Sequence, residues 1–196
     1  DIWQNQAELQ FRALIAQISI PVIVNGMARG ILNPTNPLLV TPARSYALKN
    51  ADLVIVAGTP LDFRLGYGDF GDAHVIFISD DPRTSPLAQA IRITGDLPDL
   101  MSTIATCLSK PVGTQSWKDD LAQRSSAVRL SNSKLMATRQ EMIHPAQIYG
   151  ELIPRLTEST ITIGDGGDFV SFAGKFIEPQ QPGRWLDPGP FGALGT

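Results

Sequence analysis

The chain has 196 residues, of which 43% are hydrophobic and 18% charged, and its net charge is −3. That balance suits an ordinary α/β chain of one or two domains, and with no Lys or Arg run longer than a pair it argues against a nucleic-acid surface. No apolar run approaches the ~18 residues of a membrane span, and the N-terminus lacks the basic–apolar pattern of a secretory leader.

In chain order, residues 5–18 (NQAELQFRALIAQI) place Leu9, Leu14, Ile15 and Ile18 near helical spacing. Pro21 predicts the helix end, because the residue before proline avoids the helical region. PVIVNG (21–26) reads as a buried strand entering a glycine-bearing loop, GMARG. PARSYALKNA (42–51) reads as a helix, DLVIVAG (52–58) and AHVIFISDDP (73–82) as strands, AIRITGD (90–96) as a short strand and LPDLMSTIATCL (97–108) as a helix. Such alternation with short loops predicts a parallel, doubly wound sheet over residues 1–108, with strands near 21–25, 53–57, 75–78 and 91–94. Cys107, the single cysteine, has no internal disulfide partner and reads as a small buried apolar residue, pointing to a reducing compartment.

The composition then shifts. Residues 109–143 read as a linker carrying a polar surface helix, since WKDDLAQRSSAVRLSNSKLMATRQEM lacks a strong apolar face. HPAQIYGELIPRL (144–156) opens a new helix with Pro145 in its first turn, where a missing N–H costs little. TITIGDGGDFVSFAGK (160–175) is laid out as strand, glycine loop and helix N-terminus. The expectation is one α/β unit over 1–108, a linker, and the opening elements of a second unit over 144–196, as in a segment cut from a longer protein; that second unit is too short to close a core alone.

Two glycine loops fit the cradling of a phosphate. Gly66-Tyr67-Gly68-Asp69-Phe70-Gly71 matches G-x-G-x-x-G, but lies about eight residues past its strand, whereas the dinucleotide turn runs directly from strand to helix. A surface turn is the plainer reading. The Gly164–Asp168 loop follows its strand at once, and glycine lets main-chain N–H groups approach an anion; a tight ligand-free turn is the alternative. His74 and His144 have no Cys or Glu at metal-ligand spacing. Ser171 lacks the G-x-S-x-G elbow of a hydrolase. Asp80-Asp81 at a strand end suits either ribose hydroxyls or a solvated cap before Pro82, and Arg64 suits either a phosphate or the open surface.

Taken together, IPVIVNGMARGIL, ALKNADLVIVAGTPLDFRLGYGDFG, ITGDLPDLM, HPAQIYGELIPRL, IGDGGDFVSFAG and WLDPGPFGALGT resemble the thiamine-diphosphate-dependent decarboxylase and carboligase family, with the nearest likeness to acetolactate-synthase-like large subunits. The resemblance covers essentially the whole chain. It implies most of a central nucleotide-binding-type domain and the start of a diphosphate-binding domain. Gly167, Asp168 and Phe169 would lie beside the cofactor diphosphate, although the family carries an amide where this chain has Asp168. Gly192, Ala193 and Leu194 match the segment whose large apolar residue wedges under the thiazolium and bends the cofactor. Gly164-Asp165-Gly166 has no Asn downstream, so the family's metal motif is expected beyond Thr196 and the catalytic Glu in a preceding domain. No catalytic or metal-binding residue is therefore assigned within this chain. Gly26, Met27, Gly58, Arg64 and Asp96 match positions around the central groove that holds FAD or ADP in some members, while Ser79 replaces an acidic residue often found there. The resemblance further implies thiamine diphosphate and Mg2+ as cofactors, 2-keto acids such as pyruvate as substrates, a role of the branched-chain amino-acid biosynthetic kind, a homodimer or homotetramer, and a cytoplasmic location. A 2-hydroxyacyl-CoA lyase or oxalyl-CoA decarboxylase, and a nucleotide-binding regulatory module, are the alternatives.

Overall fold

The computed structural model describes residues 1–81, 87, 89–108, 110–192 and 194–195, and the side chains of all of these except Asp168, Phe169 and Pro190. Ala193 and Pro82 lie outside the described residues. Two compact units emerge: Asp1–Pro21 with Arg44–Gln115, and Val22–Ala43 with Ser116–Thr196.

The first unit is α/β and carries a three-stranded parallel sheet. Its helices are α1 (Glu8–Ile18), α2 (Arg44–Asn50) and α3 (Leu97–Cys107), and its strands β1 (Leu53–Ala57), β2 (His74–Ser79) and β3 (Ile91–Thr94). The order is β1-β2-β3, with Ile55 opposite Ile76 and Ile76 opposite Ile91. β-Branched runs favour this pleated geometry. Alternation sends Val54, Val56, Val75 and Phe77 to one face, where they pack with Leu61, Leu65 and Phe70. On the other face Leu53 and Ile55 are 41% and 40% exposed, and Ile91 is 62% exposed.

Helix phase decides two corrections here. In α1, Leu14, Ile15 and Ile18 are buried, but Leu9 is exposed, since at 100° per residue it lies on the far side from all three. The helix ends as expected before Pro21, with Ser19 left-handed at φ 53° and its N–H donating to Ile15 O. In α3, Leu97 and Met101 face inward one turn apart, and Cys107, six residues on, is exposed rather than buried. α1 and α3 pack against each other.

The second unit holds α4 (Gln115–Ala137), α5 (Pro145–Leu152), β4 (Thr162–Ile163), α6 (Gly167–Phe176) and β5 (Trp185–Leu186). β4 and β5 pair in parallel. Ala146, Tyr149, Ala173, Phe176, Ile177 and Trp185 form its core. α4 does more than lie on the surface: Leu121 and Ser125, one turn apart, are each 1% exposed, and Leu135 and Met136 pack on the core. Pro145 stands in the first turn of α5, whose start is capped by the His144 ring nitrogen accepting the Ala146 N–H at 3.1 Å.

The strand expected at 21–25 is reduced to one parallel bridge, Val22 with Leu39. Pro21 has no N–H to extend a ladder, and the Val24 N–H is taken by the Thr41 hydroxyl at 3.0 Å. The chain then turns at Gly26–Ala28 into a 3-10 turn. Segment 22–43 belongs to the same compact unit as Ser116–Thr196.

Candidate functional site

The glycine loop after β4 has the geometry of an anion cradle. The Gly164 N–H donates to Leu186 O at 2.9 Å, continuing the β4–β5 pairing by one bond. A Cβ on Gly164 would lie 2.8 Å from Val170 Cγ2, so only glycine lets the loop pass under the first turn of α6. Gly166 is the N-cap residue and offers no side chain to the orphan N–H groups of that turn. Gly167 is left-handed at φ 65°, and a Cβ on it would meet nothing within 4 Å. The first-turn N–H groups of α6, its aligned dipole and the open space beside the exposed Gly167 fit the oxygens of a diphosphate.

A second segment closes on this loop. Asp187 accepts the Trp185 indole N–H at 2.7 Å through one carboxylate oxygen and the Gly189 N–H at 2.8 Å through the other, which turns the chain into a 3-10 turn at Gly189–Phe191. Gly192 is left-handed at φ 58°. Asp165 Oδ1 then accepts the Gly195 N–H at 2.8 Å. This bond brings the loop bearing Gly167 beside the loop bearing Gly192 and Leu194. Leu194 is 77% exposed and Phe191 89%. Asp165 and Asp187 were not among the residues expected to act here; the Asp187-Pro188-Gly189 spacing, a common turn signature, was the available signal for the second.

The far end of α6 is held by Arg29. Its guanidinium donates to Gly174 O and Ile177 O, both at 2.8 Å, and lies 4.3 Å above the Trp185 ring centroid. No local pattern marks Arg29, because its partners are some 145 residues away.

The residues expected around a nucleotide groove divide between the units. Gly26 and Met27 belong to the second, Gly58, Arg64 and Asp96 to the first. Gly58 is left-handed at φ 63°, and a Cβ there would sit 2.9 Å from Leu97 Cδ1, so the glycine serves close packing. Arg64 is engaged with Asp62, its Nη2 at 2.5 Å from Oδ2 and its Nε at 3.0 Å from Oδ1. Asp62 also accepts the Arg64 backbone N–H at 2.8 Å. Burial pushes the Asp62 carboxyl up, but the Arg64 bonds and the nearby Arg44 bring it below the usual carboxylate value. Asp96 caps α3, accepting the Asp99 N–H at 3.1 Å.

The remaining candidates have structural roles or lie on the surface. The Gly66–Gly71 stretch overlaps the end of a kinked 3-10 segment, Phe63–Gly68, in which Gly66, Tyr67 and Gly68 are all left-handed, and no α-helix starts there. Asp80 is exposed, and Ser79 Oγ accepts the Asp81 N–H at 3.0 Å. His74 is exposed at the start of β2, His144 caps α5, and Ser171 is exposed on α6. Among the described residues no three His, Cys, Asp or Glu side chains gather as a metal site, and no helix is long and apolar enough to cross a membrane.

Residues 1–104 match the family described as "Thiamine pyrophosphate enzyme, central domain". The whole chain is 37% identical to a "Probable acetolactate synthase" of Mycobacterium bovis and to the "Acetolactate synthase large subunit IlvG" of Mycobacterium tuberculosis, covering 36% of each. It is 32% identical, over 95% of its length, to the human "2-hydroxyacyl-CoA lyase 2", of which it covers 31%. The chain thus spans about a third of the length of these curated relatives. With its family match across the parallel-sheet unit and its similarity to these enzymes continuing through the glycine loop, the chain belongs to the thiamine-diphosphate-dependent enzyme family.

Proposed function

We propose that this chain is part of an acetolactate-synthase-like carboligase, which decarboxylates a 2-keto acid such as pyruvate and joins the two-carbon unit to a second keto acid. The observation that carries this reading is the open N-terminus of α6, bracketed by the Asp165–Gly195 bond that brings Gly192 and Leu194 alongside. Thiamine diphosphate, when bound, supplies an electron sink for the electron pair left by decarboxylation. The chain's own part is to hold and shape. Gly167 and the first-turn N–H groups of α6, with Asp168 and Phe169 beside them, receive the diphosphate. Gly192 gives close backbone approach, and the exposed Leu194 is the apolar wedge against the thiazolium.

Mg2+ would offset the charge of the diphosphate, and no residue of this chain is assigned as its ligand or as the catalytic acid. The 196 residues alone are expected to be inactive. For the full protein we propose a homodimer or homotetramer acting on small keto acids in the cytoplasm. FAD or ADP in the central groove finds less support: Arg64 is engaged by Asp62, Asp96 caps a helix, and Gly58 is filled against Leu97.

A second reading, a lyase of 2-hydroxyacyl-CoA or a related thioester, is favoured by the similarity to the human lyase and to its zebrafish counterpart at 31% identity. The test is to supply the full-length apo-protein with thiamine diphosphate and Mg2+, then offer pyruvate and a 2-hydroxyacyl-CoA in parallel. Acetolactate formed from pyruvate supports the first reading. Turnover of the thioester alone replaces it with the second, and tight FAD or ADP binding with no thiamine diphosphate binding replaces both with a regulatory module.

A further inference from the structure

The GMARG loop lies within the stretch matched to the family's central domain, yet it packs in the unit that carries α6. Three features lock it there. The Arg29 guanidinium donates from one nitrogen, Nη2, to both Gly174 O and Ile177 O while its Cζ lies 4.3 Å from the ring centroid of Trp185, which is 1% exposed. Gly174 makes room for it: a Cβ there would sit 3.1 Å from Arg29 Nη1. Gly30, left-handed at φ 89°, passes so close to Gln181 that a Cβ would collide with the Gln181 carbonyl.

A cation at these carbonyls satisfies acceptors that a helix end leaves orphaned, and it complements the negative end of the helix dipole. α6 has ten residues and is therefore about 15 Å long, short and stiff enough that fixing one end aims the other. Its other end is the Gly166–Gly167 turn.

We propose that Arg29 is a positioning residue for the diphosphate-binding end of α6, and that the GMARG loop serves the cofactor site rather than a nucleotide groove. The inference rests on the reading of α6 given under Proposed function. Arg29 acts through the helix: it anchors the C-terminal turn on Trp185, so the N-terminal donors meet the cofactor already aimed. Bonding both carbonyls while the same group covers the Trp185 ring asks for an extended guanidinium, where the compact ammonium of lysine would serve only one of the two contacts.

The test uses the full-length apo-protein, titrated with thiamine diphosphate at saturating Mg2+, with hydrogen exchange followed across residues 167–176. Arg29→Ala is expected to raise the cofactor Kd about tenfold, to speed exchange in α6 before any cofactor is added, and to be partly restored by millimolar guanidinium. Arg29→Lys should fall between Ala and wild type. Arg139→Ala, which removes the ion pair of Arg139 with Glu151 on α5 of the same unit, controls for lost stability and should leave Kd unchanged. An unchanged Kd in Arg29→Ala overturns the proposal, as does an equal loss in Arg139→Ala or a wild-type Kd in Arg29→Lys. Should Arg29→Ala not fold, Arg29→Lys decides alone. If the wild-type protein binds no thiamine diphosphate, the functional reading itself falls and takes this inference with it.

Discussion

Asp165 and Gly195 stand thirty residues apart, yet the carboxylate of one accepts the backbone N–H of the other at 2.8 Å. The bond is exposed, so its net worth is about 1 kcal/mol, enough to bias a terminal loop but not to freeze it. Asp165→Ala should release residues 189–195, seen as faster amide exchange there with the rest of the second unit unchanged. Asp165→Asn keeps an acceptor oxygen and should preserve most of the protection.

Glycine positions with different surroundings should respond differently to the same methyl group. Gly30→Ala combines a left-handed φ with collision against the Gln181 carbonyl, and should cost about 3 kcal/mol or more. Gly66→Ala, at φ 58° with nothing within 4 Å, bears only the backbone penalty of about 1 kcal/mol. Denaturant titration of the two variants against wild type gives the comparison, and similar losses would contradict it.

The Asp62 carboxyl is held below its unfolded value, so it titrates in the folded protein only under more acid conditions than in the unfolded chain. Its contribution to stability is therefore complete above the unfolded pKa of about 3.9 and is lost as the pH falls through that value towards the folded one. Asp62→Asn should lower the thermal midpoint at pH 7 and flatten its decline between pH 5 and pH 3, on the order of those limits. A wild-type acid limb in the variant would show that the Arg64 pair does not set it.

Leu194 is exposed in this chain, so Leu194→Ala should change stability by no more than about 0.5 kcal/mol. In the full protein the same change should lower kcat while leaving thiamine diphosphate affinity near normal, the mark of an interaction made mainly in the transition state. Equal kcat in variant and wild type would remove the wedge role.

Much of the first unit was legible because its strands are short β-branched runs between turn signals: 53–57 and 91–94 are as expected, and the third begins one residue early at His74 and ends one late at Ser79. Residues 21–25 carry the same pattern but not the outcome. A hydroxyl from Thr41, seventeen residues on, takes the bond a ladder would need, and no local pattern reports that competitor. Leu9 and Cys107 were misjudged through helix phase, which apolar character alone does not fix. The order of strand, glycine loop and helix around Gly164–Gly167 was readable, whereas the contacts of Arg29 were not, since they depend on carbonyls supplied by a distant helix. The engagement of Arg64 was closer to hand, with Asp62 only two residues before it.

The hold of Arg29 on α6 also sets a clock for synthesis. The loop leaves the ribosome before α6 does, and its first carbonyl partner follows 145 residues later. At 5–20 residues per second that is a wait of roughly 7–30 s, far longer than the microseconds in which helices and loops form. The parallel sheet of the first unit is complete in sequence by Thr94, before the α6 carbonyls and Trp185 that hold Arg29 have been made. A chaperone that shields the apolar residues of 22–43 during that interval would raise the yield of folded protein, and slowing translation between residues 44 and 174 would lengthen the dependence on it.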